Sequence, residues 1–257
     1  MRCVIVIPTY NEAENLPELV RRISDAVPEA DLLIVDDNSP DETGRIAKEI
    51  FGSRPEFARH RVVRREGPRG LGRAYRDGFR QALADGYDRI LQMDADLSHN
   101  PSYLPRMFAL SNDADLVIGS RYCAGGGVEQ WPLRRVLLSR FAVRYVQMVA
   151  GIGIADATAG FRCWTRRALS LLELDSLQSE GYCFQVEMAY RASILGLRTI
   201  ETPIVFTDRR LGRSKISRTV LLESFLMPWR LRTHPWAPSR AADGDAKRSD
   251  VLLGRSR

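Results

Sequence analysis

The sequence contains few cysteines and few histidines. Its four cysteines, at positions 3, 123, 163 and 183, form no Cys-x-x-Cys pair, and only three histidines occur in 257 residues. Disulfide-stabilised secreted domains and zinc-binding modules both depend on such pairs. The sequence therefore predicts neither a disulfide framework nor a zinc site.

Long hydrophobic runs are also missing. The longest uncharged stretch, residues 145–155, has eleven residues, whereas a helix that crosses a bilayer needs about 20. The N-terminal segment MRCVIVIPTYNE lacks the cationic lead and the small-residue cleavage site of a signal peptide. We therefore expect no membrane span and no signal peptide, and we predict a cytoplasmic protein.

Lysine is scarce, and the basic charge is unevenly distributed. The chain has 3 lysines against 35 arginines and a net charge of +6. Residues 206–257 carry 12 basic and 5 acidic side chains, whereas residues 1–205 carry 26 and 27. A basic terminal region is typical of proteins that meet nucleic acid, an anionic membrane surface or a phosphorylated substrate. Because the segment APSRAADGDAKRSD has almost no apolar residues, we predict a disordered basic tail over 236–257.

Short apolar runs alternate with segments of helical spacing. With hydrophobic residues at 44%, the chain can form a core. The alternation predicts an α/β fold with a mostly parallel central sheet flanked by helices, in one domain over 1–232. The predicted strands are 3–7, 31–36, 89–94, 115–120 and 199–206. The first predicted helix begins near Asn11. The other predicted helices span 41–50, 74–83, 133–149, 184–195 and 217–231.

Polar segments close three of the predicted strands. They are PTYNE (8–12), DDNS (36–39) and DAD (94–96). Each alone is an ordinary turn or cap. In an open parallel sheet, however, ligands bind beyond the carboxyl ends of the strands, where these carboxylates would gather. Gathered carboxylates repel one another, and a Mg²⁺ or Mn²⁺ ion shared with substrate phosphates relieves that repulsion.

Eight ordered motifs carry a resemblance to a known family. The first three resemble the inverting glycosyltransferases of family 2, whose nucleotide-sugar-binding fold is called GT-A, and all eight together are similar to the polyprenol or dolichol phosphate mannose synthases. The resemblance extends from residue 3 to about residue 220. The motifs are VIPTYNE (6–12), VDDNSPD (35–41), MDADLSH (93–99), GSRY (119–122), WPLRR (131–135), DATAGFR (156–162), GYCFQVEM (181–188) and DRRLGRSK (208–215).

The resemblance implies a site for GDP-mannose and a divalent metal ion, Mg²⁺ or Mn²⁺. The metal ligands would be Asp94, Asp96 and Ser98, although family members often have glutamine where this chain has Ser98. The residues implied for the donor are Pro8, Tyr10, Glu12, Val35 and Asp37 around guanosine, Asp94, Ala95 and Asp96 at the ribose and diphosphate, and Arg209 and Lys215 at the diphosphate.

The resemblance also implies the reaction, in which the phosphate of a polyprenyl monophosphate attacks the mannose of GDP-mannose with inversion. Arg121 and Arg135 would hold the acceptor phosphate, and the catalytic set would be Asp96, Arg121, Arg135, Arg209 and Lys215. Because a phosphate monoester has its second pKa near 6, the nucleophile is already an anion and needs no strong base. Asp156 would either orient an arginine or the acceptor loop, or cap a helix.

Other interpretations remain open at this point. A related family 2 enzyme could use UDP-glucose or another nucleotide sugar with the same acceptor. A nucleic-acid-binding protein is disfavoured, because the acidic strand ends would repel a phosphate backbone. The glycine-rich segment 67–72 lacks the ending of a phosphate-binding P-loop, and we interpret it as the entry turn of a helix.

A polyprenyl acceptor lies in a membrane, so we expect peripheral binding to the cytoplasmic face. The contact would be made by the two basic amphipathic helices, 133–149 and 217–231, with Phe225, Met227 and Trp229 below the headgroups. Packing of these side chains in the core is the alternative. A separate membrane-anchored partner protein is a further possibility.

Overall fold

The computed structural model describes residues 1–181, 183–208 and 218–239. Its strands are β1 (Cys3–Thr9), β2 (Asp31–Asp36), β3 (Arg61–Arg64), β4 (Arg89–Gln92), β5 (Leu116–Ser120), β6 (Gly127–Glu129), β7 (Arg162–Thr165), β8 (Thr199–Pro203) and β9 (Val205–Thr207). Its α-helices are α1 (Leu16–Ala26), α2 (Thr43–Gly52), α3 (Leu71–Ala84), α4 (Leu104–Leu110), α5 (Leu133–Ala150), α6 (Arg166–Leu171), α7 (Cys183–Ile194) and α8 (Arg218–Thr233).

Seven strands form the central sheet in the order β3-β2-β1-β4-β7-β5-β8. All neighbours are parallel except β7, which runs antiparallel to both β4 and β5. The strands β6 and β9 form a separate parallel pair. The predicted α/β architecture with a mostly parallel sheet flanked by helices is confirmed.

The sheet is covered on both faces, which explains why its central strands are continuous apolar runs. Every residue of β1 and β2 is buried. Alternate side chains of a strand point to opposite faces, so Val4 and Val6 join the core beneath α3 and α7, whereas Ile5 and Ile7 join the core beneath α1, α2 and α4. Gly78 lets α3 approach closely, because a Cβ there would lie 2.5 Å from Cγ1 of Val6.

The first helix begins at Leu16, and the prediction of a start near Asn11 is wrong. Asn11 has a left-handed backbone with φ of 60°, which a helix cannot include. The carbonyl of Glu12 accepts the N–H groups of Asn15 and Leu16 and so opens the helix. The segment before α1 is instead tied to the next strand end, because the N–H of Asn11 donates to Oγ of Ser39 at 3.1 Å.

The second half of the chain departs further from the predicted elements. The predicted strand over 199–206 is divided into β8 and β9 at Ile204, and β3, β6 and β7 were not predicted. The predicted helices over 133–149 and 217–231 correspond to α5 and α8. None of the helices in the described part of the chain is long and apolar enough to cross a membrane. Most of the predicted disordered tail, residues 240–257, lies outside the described residues.

Candidate active site

The carboxyl ends of β1, β2 and β4 open into a cleft. Because these strands are parallel and adjacent, their polar ends meet at one edge of the sheet. The cleft is lined by Pro8, Thr9, Tyr10, Glu12, Asp37, Leu71, Ala74, Asp94, Ala95 and Asp96. The structure thus brings together seven of the predicted donor residues: Pro8, Tyr10, Glu12, Asp37, Asp94, Ala95 and Asp96.

Val35 lies behind the cleft rather than in its lining. Its side chain is fully buried in β2, and its Cγ2 lies 2.9 Å from the position that a Cβ on Gly78 would take. Arg209 and Lys215, predicted to bind the donor diphosphate, lie outside the described residues.

The two consecutive aspartates at the end of β2 have different partners. Asp36 accepts hydrogen bonds from Thr9 Oγ1 at 3.2 Å and from Ser39 Oγ at 2.5 Å, which joins the ends of β1 and β2. Asp37 faces the cleft, pairs with Arg65 and accepts the N–H of Gly70 at 2.7 Å. Asp36 therefore closes the floor of the cleft, whereas Asp37 fixes the glycine-rich turn that leads into α3.

The Asp94-Ala95-Asp96 turn is held by short hydrogen bonds. Tyr75 Oη donates to Asp94 Oδ1 at 2.9 Å, and Ser98 donates its Oγ hydrogen to Asp96 Oδ1 at 2.5 Å. Burial raises the pKa of Tyr75 well above its ordinary value, and the Asp94 charge adds to this effect. Tyr75 therefore stays a donor. These bonds orient both carboxylates before any ligand binds.

His99 sits directly beneath this turn. Burial lowers its pKa below the ordinary value and outweighs the nearby carboxylates of Asp94 and Asp96. Its Nδ1 accepts the N–H of Asp94 at 3.3 Å, so in the neutral ring the hydrogen is on Nε2. The ring stacks on Phe161, with centroids 5.0 Å apart, and meets the edge of Phe206 at 5.5 Å.

The carboxylates of the turn fit a hard divalent cation. Asp94 and Asp96 both face the cleft and offer oxygen ligands, which Mg²⁺ and Mn²⁺ prefer. Among the described residues there is no group of three or more histidine, cysteine or acidic side chains that could hold a metal alone. Two carboxylates leave most of the coordination sphere to substrate phosphates and water. The Ser98 hydroxyl orients Asp96, and its predicted role as a ligand remains a prediction.

Arg121 follows β5 and is held by Asp156. Its Nε and Nη2 donate to Oδ2 and Oδ1 of Asp156, each at 2.8 Å, and Nη2 also donates to Thr158 Oγ1 at 2.8 Å. The Asp156 side chain is completely buried, and that of Arg121 is 12% exposed. Burial would raise the pKa of Asp156, but the hydrogen bonds and charge of Arg121 hold it below its ordinary value. Of the alternatives for Asp156, the structure supports the orientation of an arginine.

The loop that carries Asp156 has its own supports. The two carboxylate oxygens of Glu201 accept the N–H groups of Ala155, at 2.7 Å, and of Asp156, at 2.9 Å. Arg162, fully buried in β7, donates to the carbonyl of Ala157 at 2.8 Å. Burial lowers the pKa of Arg162 to about 10. This loop, like the Asp94-Ala95-Asp96 turn, is therefore held in place by hydrogen bonds to residues distant in the chain.

Aromatic rings surround the two arginines. The guanidinium carbon of Arg121 lies 5.4 Å from the ring centroid of Phe206 and 6.0 Å from that of Trp131. Arg135, on α5, stacks over Trp131 at 4.0 Å and forms an ion pair with Asp208 at 2.7 Å. Phe206 also meets His99 beneath the carboxylate turn, so Arg121 lies beside that turn, whereas Arg135 lies one ring further away on Trp131.

Residues that the sequence did not point to complete the site. Tyr75 and Glu201 had no motif signal, because each acts through contacts with residues distant in the chain. Arg65, which pairs with Asp37, was hidden among many surface arginines. A buried arginine can be inferred from its partner only after the fold is known.

The surface beside Arg135 exposes apolar side chains on α5 and α8. Arg134, Arg140 and Arg144 are exposed on α5 among them. The exposed apolar residues are Leu133, Leu137, Leu138, Phe141 and Met148 on α5, and Phe225, Leu226 and Trp229 on α8. We call these eight residues the apolar surface.

The structure corrects one residue of this surface. Met227 is only 7% exposed and accepts a hydrogen bond from Ser179 Oγ at 3.3 Å, so it packs in the core and does not face a membrane. Phe225 and Trp229 are exposed as predicted, although the Phe225 ring also stacks on Tyr145 with centroids 5.1 Å apart.

Comparison with known proteins gives consistent relatives. The profile of the family described as Glycosyl transferase family 2 matches residues 4–172. The chain is 44% identical to polyprenol monophosphomannose synthase of Mycolicibacterium smegmatis over 90% of this chain and 88% of that protein. It is also 44% identical to undecaprenyl-phosphate mannosyltransferase of Micrococcus luteus, over 87% and 91%.

Solved structures with the same fold are more distant in sequence. The fold is similar to glucosyl-3-phosphoglycerate synthase of Mycobacterium tuberculosis, solved with Mn²⁺, UDP-glucose and phosphoglyceric acid. The TM-score is 0.63, the identity is 20%, and the match covers 89% of this chain and 79% of that one.

Proposed function

The chain belongs to glycosyl transferase family 2, and from this membership we propose that it transfers mannose from GDP-mannose to a polyprenyl monophosphate. The products are polyprenyl phosphate mannose and GDP, and the mannose is inverted at C1. The two relatives that share 44% of its residues carry names for this type of mannosyl transfer.

One observation carries the proposal: an acidic cleft and two anchored arginines lie side by side. The cleft presents Asp94 and Asp96 at the end of β4. Arg121 lies beside the turn that carries them, across the ring of Phe206, and Arg135 lies one ring further away, stacked on Trp131. The carboxylates can hold the nucleotide sugar through a divalent cation, and the arginines can hold the anionic acceptor beside it.

The acceptor's own charge removes the need for a strong base. A phosphate monoester has its second pKa near 6, so at neutral pH its oxygen is already a nucleophile. The attacking oxygen forms a bond to C1 of mannose as the bond from C1 to the GDP oxygen breaks, and the electron pair leaves with GDP. Arg121 and Arg135 hold the acceptor phosphate against repulsion from the donor diphosphate. Asp156 keeps the Arg121 fork aligned.

A divalent cation held by Asp94 and Asp96 would neutralise charge on the leaving diphosphate. The carboxylate oxygens of the turn and their hydrogen bonds to Tyr75 and Ser98 support this assignment. Arg209 and Lys215 stay assigned to the same diphosphate. Tyr10, Glu12 and Asp37 hold the guanosine part.

The acceptor's polyprenyl chain lies in a membrane, so the enzyme must contact a membrane surface. We propose that the apolar surface of α5 and α8 makes this contact. Its eight side chains extend from Leu133, next to Arg135, along α5 and onto α8, so the chain of a lipid whose phosphate is held by Arg135 would run over them. The exposed arginines 134, 140 and 144 would meet anionic headgroups, at about 1 kcal/mol each. This makes the enzyme a peripheral membrane protein.

We place it on the cytoplasmic face. The four cysteines are all unpaired, which is typical of proteins in a reducing compartment. A separate membrane-anchored partner protein, if required, would bind beside the same surface.

A transfer assay with three radiolabelled donors tests the function. GDP-mannose, UDP-glucose and UDP-N-acetylglucosamine are each supplied with a polyprenyl phosphate and Mg²⁺ or Mn²⁺, and the label in the lipid fraction is counted. We expect label from GDP-mannose alone. Efficient transfer from UDP-glucose instead would identify the related family 2 activity and refute the mannose donor.

A further inference from the structure

Arg69 contacts Tyr10, one of the residues that line the cleft. Its Nη1 donates to Oη of Tyr10 at 2.5 Å, and its guanidinium carbon lies 4.5 Å from the centroid of the Tyr10 ring. The two residues are 59 positions apart in the chain. Arg69 is exposed and belongs to the glycine-rich turn before α3, which the sequence suggested to be only a helix entry.

The turn that carries Arg69 is fixed to the cleft itself. Asp37, one of the cleft residues, accepts the N–H of Gly70, and Arg65 donates both to Asp37 and to the carbonyl of Pro68 at 3.3 Å. Leu71, which follows directly, lines the cleft. Only the side chain of Arg69 therefore has to move when a ligand enters, because its backbone is already in place.

Arg69 brings a positive charge to a cleft that is lined by negative charges. The described residues that line the cleft include four carboxylates, Glu12, Asp37, Asp94 and Asp96, and no basic side chain. Arg69 thus brings a planar set of donors to a cleft whose lining offers mainly acceptors.

Guanine has the complementary arrangement of polar edges. One edge carries the N1–H and N2–H₂ donors, which suit the carboxylates of Glu12 and Asp37. The other carries two adjacent acceptors, O6 and N7, which an arginine fork binds through two hydrogen bonds. Uracil has no such pair of adjacent acceptors. In the structure the Arg69 guanidinium lies over the Tyr10 ring and donates to the hydroxyl at its rim, so a base that stacks on that face would displace the guanidinium toward the edge of the base.

We propose that Arg69 reads the O6 and N7 edge of guanine on a base stacked against Tyr10, and so selects GDP over UDP. This rests on the proposed function, in which the donor is GDP-mannose. In the structure the Tyr10 hydroxyl takes the place of the base acceptor. When guanine enters, Arg69 exchanges that contact for the guanine edge.

The test is the binding of GDP and of UDP, measured by isothermal titration calorimetry with Mn²⁺ present. Wild type, Arg69→Ala, Arg69→Lys and the control Arg73→Ala are compared. Arg73 carries the same charge four positions on and pairs with Glu180 at the surface. We expect Arg69→Ala to weaken GDP binding about tenfold and UDP binding less than twofold. Arg69→Lys should recover only part of the loss, because lysine lacks the fork.

Each other outcome has a defined meaning. Equal losses for GDP and UDP, or an equal loss in Arg73→Ala, would show that Arg69 contributes only general positive charge. Unchanged or tighter GDP binding would show that it has no contact with the base. A wild-type preference for UDP would refute the proposed donor itself, whereas a preference for GDP with equal losses would refute only the role of Arg69.

Discussion

The side of the candidate site that we propose for the donor and the side that we propose for the acceptor are built in opposite ways, and we call them the donor side and the acceptor side. On the donor side, the ends of β1, β2 and β4 bury polar side chains and satisfy them with hydrogen bonds, and Asp37 and Asp96 are only 6% and 4% exposed. On the acceptor side, α5 and α8 leave large apolar side chains uncovered, and Leu133 and Met148 are 73% and 69% exposed. Exposed apolar side chains in a continuous patch usually mark a surface that binds another molecule or a membrane, so the exposure on α5 and α8 requires an explanation.

The difference indicates what each side binds. A nucleotide sugar is small and polar, and a rigid cleft with oriented carboxylates recognises it without reorganisation. A polyprenyl phosphate has one charged group and a long apolar chain, so it needs anchored arginines next to an apolar surface. Arg121, held by Asp156 and facing Phe206, stands where the two sides meet.

The largest effect is expected on the donor side, from Asp96→Ala. The variant loses one of two carboxylates at the turn, and with it the charge that holds a cation against the diphosphate. We expect transfer to fall by about 100- to 1,000-fold, as for the loss of a group that stabilises developing charge. Turnover of radiolabelled GDP-mannose with Mn²⁺ or Mg²⁺ measures it. Wild-type activity in this variant, with a chelator present, would contradict the metal assignment.

The next largest effect is expected where the two sides meet, from Asp156→Asn. It leaves the Arg121 guanidinium largely buried without its carboxylate, and we expect the free energy of unfolding to fall by about 3 kcal/mol. Chemical denaturation at neutral pH measures the change. An unchanged unfolding midpoint would mean that the pair contributes nothing to stability.

The same pair predicts a dependence on pH. The folded pKa of Asp156 is held below its ordinary value, so its contribution is present above the unfolded pKa of about 3.9 and is lost as pH falls through the folded pKa. The stability difference between wild type and Asp156→Asn should therefore shrink below about pH 4. A difference that stays constant to pH 2 would contradict this linkage.

A smaller effect is expected on the acceptor side, from Arg135→Ala. Arg135 forms an ion pair with Asp208 and stacks on Trp131, and we assign it to the acceptor phosphate. The KM for polyprenyl phosphate should rise about tenfold, as when one charge-assisted contact is lost, with little change in GDP affinity. Arg106→Ala, at an exposed arginine on α4, is the control. A selective loss of GDP affinity would move Arg135 to the donor side.

The smallest effect is expected at the apolar surface. Changing Phe225 and Trp229 together to serine should reduce binding to anionic vesicles a few fold, because part of the buried apolar area is lost while the arginines remain. Co-sedimentation at low and high salt measures it, and wild-type binding should weaken as salt rises. Ile194→Ser, an exposed apolar residue on α7, is the control. Equal binding by the double variant would favour a membrane-anchored partner.

The donor side could be predicted from the sequence far better than the acceptor side. Its polar residues follow three apolar runs directly, and parallel pairing must bring such strand ends together. Seven of the predicted donor residues accordingly line one cleft. The side chain of Val35 lies behind the cleft, because a strand end predicts the edge of the sheet but not the direction of each side chain, and its role toward guanosine stays a prediction.

The acceptor side depends on contacts that no local pattern encodes. The antiparallel strand β7 and the pair β6 and β9 are three or four residues long, too short to show a period. The pairing of Arg121 with Asp156 spans 35 positions. Met227 could not be distinguished from its exposed neighbours on α8 from the sequence, because only the packing of that helix buries it.

On the donor side, the start of the first helix was predicted wrongly. The contact of Asn11 with Ser39, which lies on a different segment, overrode the capping propensity of Asn11.

Transfer to a phosphate oxygen with inversion is tested most directly by NMR of the purified lipid product from GDP-mannose and polyprenyl phosphate. If Arg121 and Arg135 present the lipid phosphate to the face of mannose opposite GDP, C1 of mannose will be coupled to phosphorus and will have the β configuration, opposite to that in GDP-mannose. An α-linked product, or mannose with no coupling to phosphorus, would contradict that arrangement of the two sides.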